Sequence, residues 1–195
     1  MLSWGVLPAL AVAMVACTSN APMPAPEESI SWPVGVTGAS AMEDPSGDVR
    51  LDRGEALIDS VDIIEARIDS DGLILTATVR FVGGVPEPRA GRALGCQVHM
   101  ETDTGARFLI DMDRRTSDPG DYWSIGRSSP ELELDQELHP LVVRQRSVEA
   151  RIPLYLLRGL TPTFGWDVSC TYADEGSRSM DTAGPERFEG VVEQT

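Results

Sequence analysis

LGCQVHMETDTGARFLIDMD, residues 94–113, decides the reading of the fold. Leu94, Cys96, Val98 and Met100 lie on one side of a period-two alternation, and Phe108, Ile110 and Met112 resume it beyond Thr102-Asp103-Thr104-Gly105. Two alternating runs around a short turn rich in Asp and Gly predict a β-hairpin. One face is apolar and carries a cysteine. The other carries Gln97, His99 and Glu101, and the second strand runs out into Asp111 and Asp113.

The same pattern recurs outward from this hairpin. Val61, Ile63, Ala66 and Ile68 alternate imperfectly. Asp71-Gly72 then leads into Leu73, Leu75, Ala77, Val79 and Phe81 on one face. Asp-Gly between two such runs predicts a tight hairpin, because glycine accepts positive φ. Asp69-Ser70-Asp71-Gly72 resembles the start of a calcium loop but lacks the later acidic ligands, so it reads as the turn. Residues 83–91 read as a loop, and Arg114 to Gly126 as a long polar connection. Leu132, Leu134 and Leu138 suggest a further strand, and Val142-Val143 with Val148 to Ile152 a further hairpin. Pro153 to Leu157 suits a short helical turn with proline in its first turn. Phe164, Trp166, Val168, Cys170 and Tyr172 form the cleanest apolar face. In the tail, Met180 to Pro185 reads as a closing loop, with Phe188, Val191 and Val192 as core candidates. About eight strands with almost no helix predict an all-β antiparallel sandwich, jelly-roll or immunoglobulin-like, over residues 34–195.

The N-terminal residues predict an address. Leu2 to Ala16 is apolar and too short for a membrane span, which is the form of a signal-peptide core. Met14-Val15-Ala16-Cys17 resembles a bacterial lipobox, with Met where Leu is usual and no basic residue ahead of the core. The resemblance implies cleavage after residue 16, a lipidated Cys17 as mature N-terminus and, with Thr18 following, sorting to the outer membrane. Two or more acyl chains give stable anchoring. Residues 17–33 lack periodicity and read as a tether of Ala, Pro, Ser and Glu. Cys96 and Cys170 then remain as an even pair in an exported chain, both on apolar strand faces, and predict a disulfide. That pairing requires Cα atoms about 4.4–6.8 Å apart, hence strands that adjoin or face each other.

The net charge of −15, from 31 acidic and 16 basic residues, argues against nucleic acid as a partner. No nucleophile elbow, metal-protease helix motif or phosphate loop occurs, so the reading is a binding protein and not an enzyme.

A family resemblance follows from the order of several short pieces. They are the acidic turn Asp44 to Asp48, Ile110-Asp111-Met112-Asp113, Gly120-Asp121-Tyr122, Ile152-Pro153-Leu154, the strand Phe164 to Tyr172 and Asp181-Thr182-Ala183-Gly184-Pro185. This order resembles family 9 carbohydrate-binding modules and the wider DOMON-like β-sandwiches, from about Pro33 to Phe188. The resemblance implies carbohydrate or another envelope polymer as ligand, held on exposed aromatic faces. Tyr122 and Trp123 are the candidates, with Trp32 behind them, whereas Trp166 and Tyr172 face inward. It also implies a structural Ca2+, with Asp44, Asp48, Asp111, Asp113 and Asp181 as the matching carboxylates. A structural or protein-interaction lipoprotein without a small ligand is the alternative. Haem, the other ligand of DOMON-like domains, would need an axial pair such as Met100 and His139.

Overall fold

The computed structural model describes residues 35–53, 58–90, 93–116, 120–128, 132–134, 137–174 and 177–192. The leader, Cys17, the tether and Trp32 lie outside the described residues.

Alternation becomes strand almost everywhere it occurs. In chain order the strands are β1 (Val36–Glu43), β2 (Arg50–Arg53), β3 (Ile63–Asp71), β4 (Ile74–Phe81), β5 (Ala93–Thr102), β6 (Arg107–Arg114) and β7 (Tyr122–Ser128). There follow β8 (Leu132–Leu134), β9 (His139–Pro140), β10 (Val142–Val143), β11 (Ser147–Pro153), β12 (Thr163–Asp174), β13 (Ser177–Glu189) and β14 (Val191–Val192). They form two antiparallel sheets, one ordered β10-β11-β4-β3-β1-β14 and the other β2-β13-β12-β5-β6-β7-β8, with β9 on β7. The expected all-β sandwich is the fold, with fourteen strands among the described residues instead of about eight. The surplus consists of two- to four-residue pieces such as β2, β8, β9, β10 and β14, which are too short for alternation to show. Among the described residues no helix is long and apolar enough to cross a membrane.

The core lies between the sheets. Leu94, Cys96, Val98 and Met100 of β5 meet Phe164, Trp166, Val168, Cys170 and Tyr172 of β12, all at most 2% exposed. Opposite them lie Leu75, Ala77, Val79 and Phe81 of β4. Trp166 Nε1 donates to Ser40 Oγ at 3.1 Å, which satisfies the buried indole and ties the sheets together. Phe164 and Phe188 stack with centroids 4.8 Å apart.

Where the sequence pattern falters, the ladder explains it. The register shifts between Ile63 and Glu65, so Ile63 and Ala66 both point inward despite their odd spacing. Leu73 leaves the expected apolar face and is 68% exposed. It sits in the turn, where Asp71 Oδ1 accepts the amides of Leu73 and Ile74 at 2.9 and 2.8 Å and Gly72 takes φ +93°. Leu138 is likewise exposed and outside the strand expected for it. Met180 to Pro185 is not a closing loop but part of β13. Glu186 pairs with Trp166 and Ala183 with Val168, so Gly184 and Pro185 together oppose Asp167. A bulge accepts the two residues that signal a loop in sequence. Of the tail candidates only Phe188 is buried, because β14 is an edge strand that leaves Val191 and Val192 exposed.

Cys96 and Cys170 form the disulfide, with Cα atoms 4.1 Å apart. They are directly opposite each other on the adjoining strands β5 and β12, so the bridge lies within one sheet instead of crossing the core.

Candidate functional site

Two polar sites are built on this frame, and the first is a corner of carboxylates. Asp44 follows β1, Asp48 lies in the turn before β2, and Asp181 sits on the inner side of β13, opposite Cys170. Ligand oxygens of these three lie within 4.8 Å of one another. Asp62, just ahead of β3, joins them: its Oδ2 accepts the amide of Gly47, in the turn that carries Asp44 and Asp48, at 2.8 Å. Asp181 Oδ2 accepts Ile63 N and its Oδ1 accepts Thr182 N, both at 2.8 Å, so this side chain bridges the two sheets.

The electrostatics are unfavourable as they stand. Asp62 and Asp181 are 3% and 4% exposed. Burial, reinforced by Asp181, Asp48 and Asp62, pushes the Asp44 carboxyl up to about 6. Burial also raises Asp62 and Asp181, against the amides that hold them. Every cationic side chain of this protein except histidine is an arginine. Among the described residues none pairs with these four acids. Asp44 Oδ2 and Asp62 Oδ1 are buried without a hydrogen-bond partner. The three converging carboxylates of Asp44, Asp48 and Asp181, without a counter-charge and with orphaned oxygens on Asp44 and the neighbouring Asp62, fit a hard divalent cation, which takes six to eight oxygen ligands.

The sequence-based metal set therefore divides. Asp44, Asp48 and Asp181 converge, but Asp111 and Asp113 do not belong with them. Both lie on β6, on the outer face of the larger sheet, where Asp111 Oδ1 accepts Gln97 Nε2 at 2.8 Å and Asp113 Oδ2 accepts Arg115 Nη2 at 2.6 Å. Their i, i+2 spacing does put them on one side, but it is the wrong side. Asp62 escaped the reading because an acid ahead of an alternating run carries no spacing signal of its own.

The aromatic pair also fails as a ligand platform. Trp123 points into the core at 2% exposure, opposite Met112, and stacks on His139 with centroids 4.2 Å apart. Strand β7 begins at Tyr122, inside the stretch expected to be a polar connection, and its pleat turns Trp123 inward. Tyr122 points outward, but the Arg115 guanidinium lies 4.8 Å over its ring and bonds its hydroxyl. Met100 and His139 are also apart. Met100 is opposite Phe108, whereas His139 is beside Trp123, level with Met112, four residues along the strand.

The second site is a groove of about 460 Å3 on the outer face of the larger sheet. Its walls follow the cross-strand rows. One row runs Asp167, His99, Leu109, Gly126, and the next runs Gly165, Glu101, Arg107. Pro185 closes the end on β13. At about 4.8 Å per strand, the groove spans roughly 19 Å from β13 to β7. Two glycines and Leu109 make a low floor, on which a flat ring can lie against the backbone. Polar pairs rim it: His99 Nδ1 bonds Asp167 Oδ1 at 2.8 Å, and Arg107 forks onto Glu101 at 3.2 and 3.3 Å. Gly184 holds the rim in place. With φ +114° it lets Asp167 approach so closely that an added Cβ would lie 2.9 Å from the Asp167 Cβ. The outward polar residues of β5 were visible in sequence, but their partners on β12 and β6 depend on register.

The chain matches no protein-family model, no curated protein and no solved structure.

Proposed function

We propose that this protein is an exported, lipid-anchored module that binds carbohydrate or another envelope polymer in the groove on the outer face of the larger sheet. The groove itself carries the reading. Its dimensions fall within the usual range of ligand sites, and it combines a flat, partly apolar floor with polar groups converging from separate strands. The order of short motifs that resembles family 9 carbohydrate-binding modules supports the same ligand class. A Ca2+ held by Asp44, Asp48 and Asp181, with Asp62 beside them, has a structural part in this reading: it neutralises the corner and clamps the end of β1 to β13. Glycan-array binding of the processed protein in detergent tests the groove. The combination His99→Ala with Asp167→Asn is expected to weaken the array signal at least tenfold, or about 1.4 kcal/mol. An empty array, or binding indifferent to both changes, refutes the proposal.

The anchor rests on Met14 to Cys17 and the apolar run before them. Cys17→Ser is expected to abolish lipid labelling and to leave the chain unprocessed or released from membranes. A Cys17→Ser protein that is processed and fractionates as the parent does would show an ordinary signal peptide.

A further inference from the structure

Resting on the reading of Cys17 as a lipid anchor, we infer that the end of the smaller sheet where β1 begins is a membrane-docking surface, occupied by the interfacial region of a lipid bilayer. Six large hydrophobic side chains are exposed among the described residues, and four of them gather at this end. They are Leu73, Tyr155, Val191 and Val192, between 49% and 68% exposed. Backbone pairing places them together. Gly35, just ahead of β1, donates its amide to Gly72 O at 2.9 Å, beside Leu73. Leu73 O in turn accepts Leu154 N at 2.9 Å, beside Tyr155. On the other flank Val192 pairs with Val36 and Val191 with Thr37. The patch thus crosses from β14 over β1 and the β3–β4 turn to the 3-10 turn Leu154–Leu156 after β11. At about 4.8 Å per strand it spans roughly 19 Å. Apolar side chains exposed singly need no explanation, whereas a patch gathered at one pole marks an interaction surface.

The occupant follows from where the chain leaves this pole. Only positions 18–34 separate Cys17 from Gly35. At no more than about 3.5 Å per residue, they hold the acylated end within roughly 60 Å of Gly35 whatever path they take. Acyl chains inserted at Cys17 therefore present this pole to the bilayer at a high effective concentration, so a weak affinity of the patch suffices. Leucine and valine suit the acyl boundary, and tyrosine suits the headgroup level, where its ring is covered and its hydroxyl wet. The charges are polarised to match. Three acids at this pole are each engaged within the protein: Asp71 Oδ1 accepts two backbone amides, and Asp103 and Glu189 both face Arg187. The uncompensated corner of Asp44, Asp48 and Asp181 lies beyond the far end of β1, about 30 Å from Gly35 at the rise of a strand. Docking through the patch keeps that charge away from lipid phosphates.

Fluorescence quenching by lipid-borne nitroxides tests this on the acylated full-length protein in vesicles of zwitterionic phospholipid. An environment-sensitive fluorophore is carried on Val191→Cys or, at the far pole, on Leu138→Cys. Leu138 flanks His139, which the cross-strand pairings set level with Asp181. With nitroxides on the acyl chains, the probe at position 191 is expected to shift to the blue and lose about half of its emission, as for a side chain seated at the headgroup boundary. The probe at position 138 is expected to keep its emission. Leu73→Glu together with Val192→Glu is expected to abolish the quenching at position 191, with circular dichroism unchanged and the protein still anchored. Equal quenching at both positions, or none at position 191 in acylated protein, overturns this inference and leaves the anchor standing. A blue shift at position 191 without quenching means that protein covers the patch, either a second copy or the chain's own N-terminal residues, and overturns it as well. So does quenching that survives the double substitution. Mass spectrometry of the N-terminal peptide separates the two readings: a Cys17 without acyl chains overturns both.

Discussion

Replacing Cys96 and Cys170 together with alanine destabilises the protein by about 4.5 kcal/mol, the chain-entropy value for a closed loop of this length. The two half-cystines are 74 residues apart in sequence but directly opposite on β5 and β12. Those strands are already hydrogen-bonded neighbours, so the bridge adds little to the native sheet. Its effect falls on the unfolded chain, which it prevents from opening across everything between β5 and β12. At roughly 2–4 °C per kcal/mol for a chain of this size, the melting midpoint falls by about 9–18 °C. Calorimetry of the parent with and without reductant, beside the double variant, checks it. Equal midpoints in all three samples would mean that the bridge contributes nothing.

Adding Ca2+ to chelated protein is expected to raise stability by about 2.7 kcal/mol once the free ion reaches a hundred times its Kd. The expected gain arises at the corner of Asp44, Asp48 and Asp181, beside Asp62, where the carboxylates have no counter-charge among the described residues. Asp44→Asn and Asp48→Asn are each expected to remove most of this gain, and Asp44→Asn to stabilise the metal-free protein by relieving repulsion. The pH dependence has a definite sign. Burial and neighbouring acids hold Asp44 at about 6 in the folded protein, above its ordinary 3.8. Above its unfolded pKa the folded state binds more protons than the unfolded one, so stability declines as pH rises from about 4 to about 6. It is level above that range, where the whole penalty is present. Asp62 and Asp181, also raised, add in the same direction. Saturating Ca2+ opposes this decline, because deprotonated carboxylates are the ligands. Urea titrations at pH 4, 5, 6 and 7, with chelator or with Ca2+, separate the curves. A metal-free protein that gains stability across this range, or a midpoint indifferent to Ca2+, would exclude the site.

Much of the sandwich was legible in residues 94–113 and their echoes along the chain. Strict alternation can bury one face only as a strand, and Phe164 to Tyr172 shows the rule without exception. The disulfide was legible for the same reason, since both cysteines lie on such faces and the expected lipidation of Cys17 set the third cysteine aside. Three of the five carboxylates that the family resemblance implied as metal ligands do come together in the fold. The fourth member of the corner, Asp62, was not legible.

What alternation cannot convey is the neighbour across the ladder and the parity of a strand after a break. Trp123 follows a polar stretch and reads as exposed, but the register of β6 with β7 sets it opposite Met112 and buries it. Asp111 and Asp113 have the spacing of paired ligands, and only the pleat of β6 reveals that they face away from Asp181. Gly184 and Pro185 read as a loop, yet a bulge absorbs them into β13 opposite Asp167, which the register of β12 with β5 sets beside His99. The sequence by itself determined an antiparallel sandwich, its apolar faces and its bridge, because period-two burial is a local property of each strand. The carboxylate corner and the groove were decided by tertiary structure alone, because each joins residues far apart in the chain through pairings that no local pattern encodes.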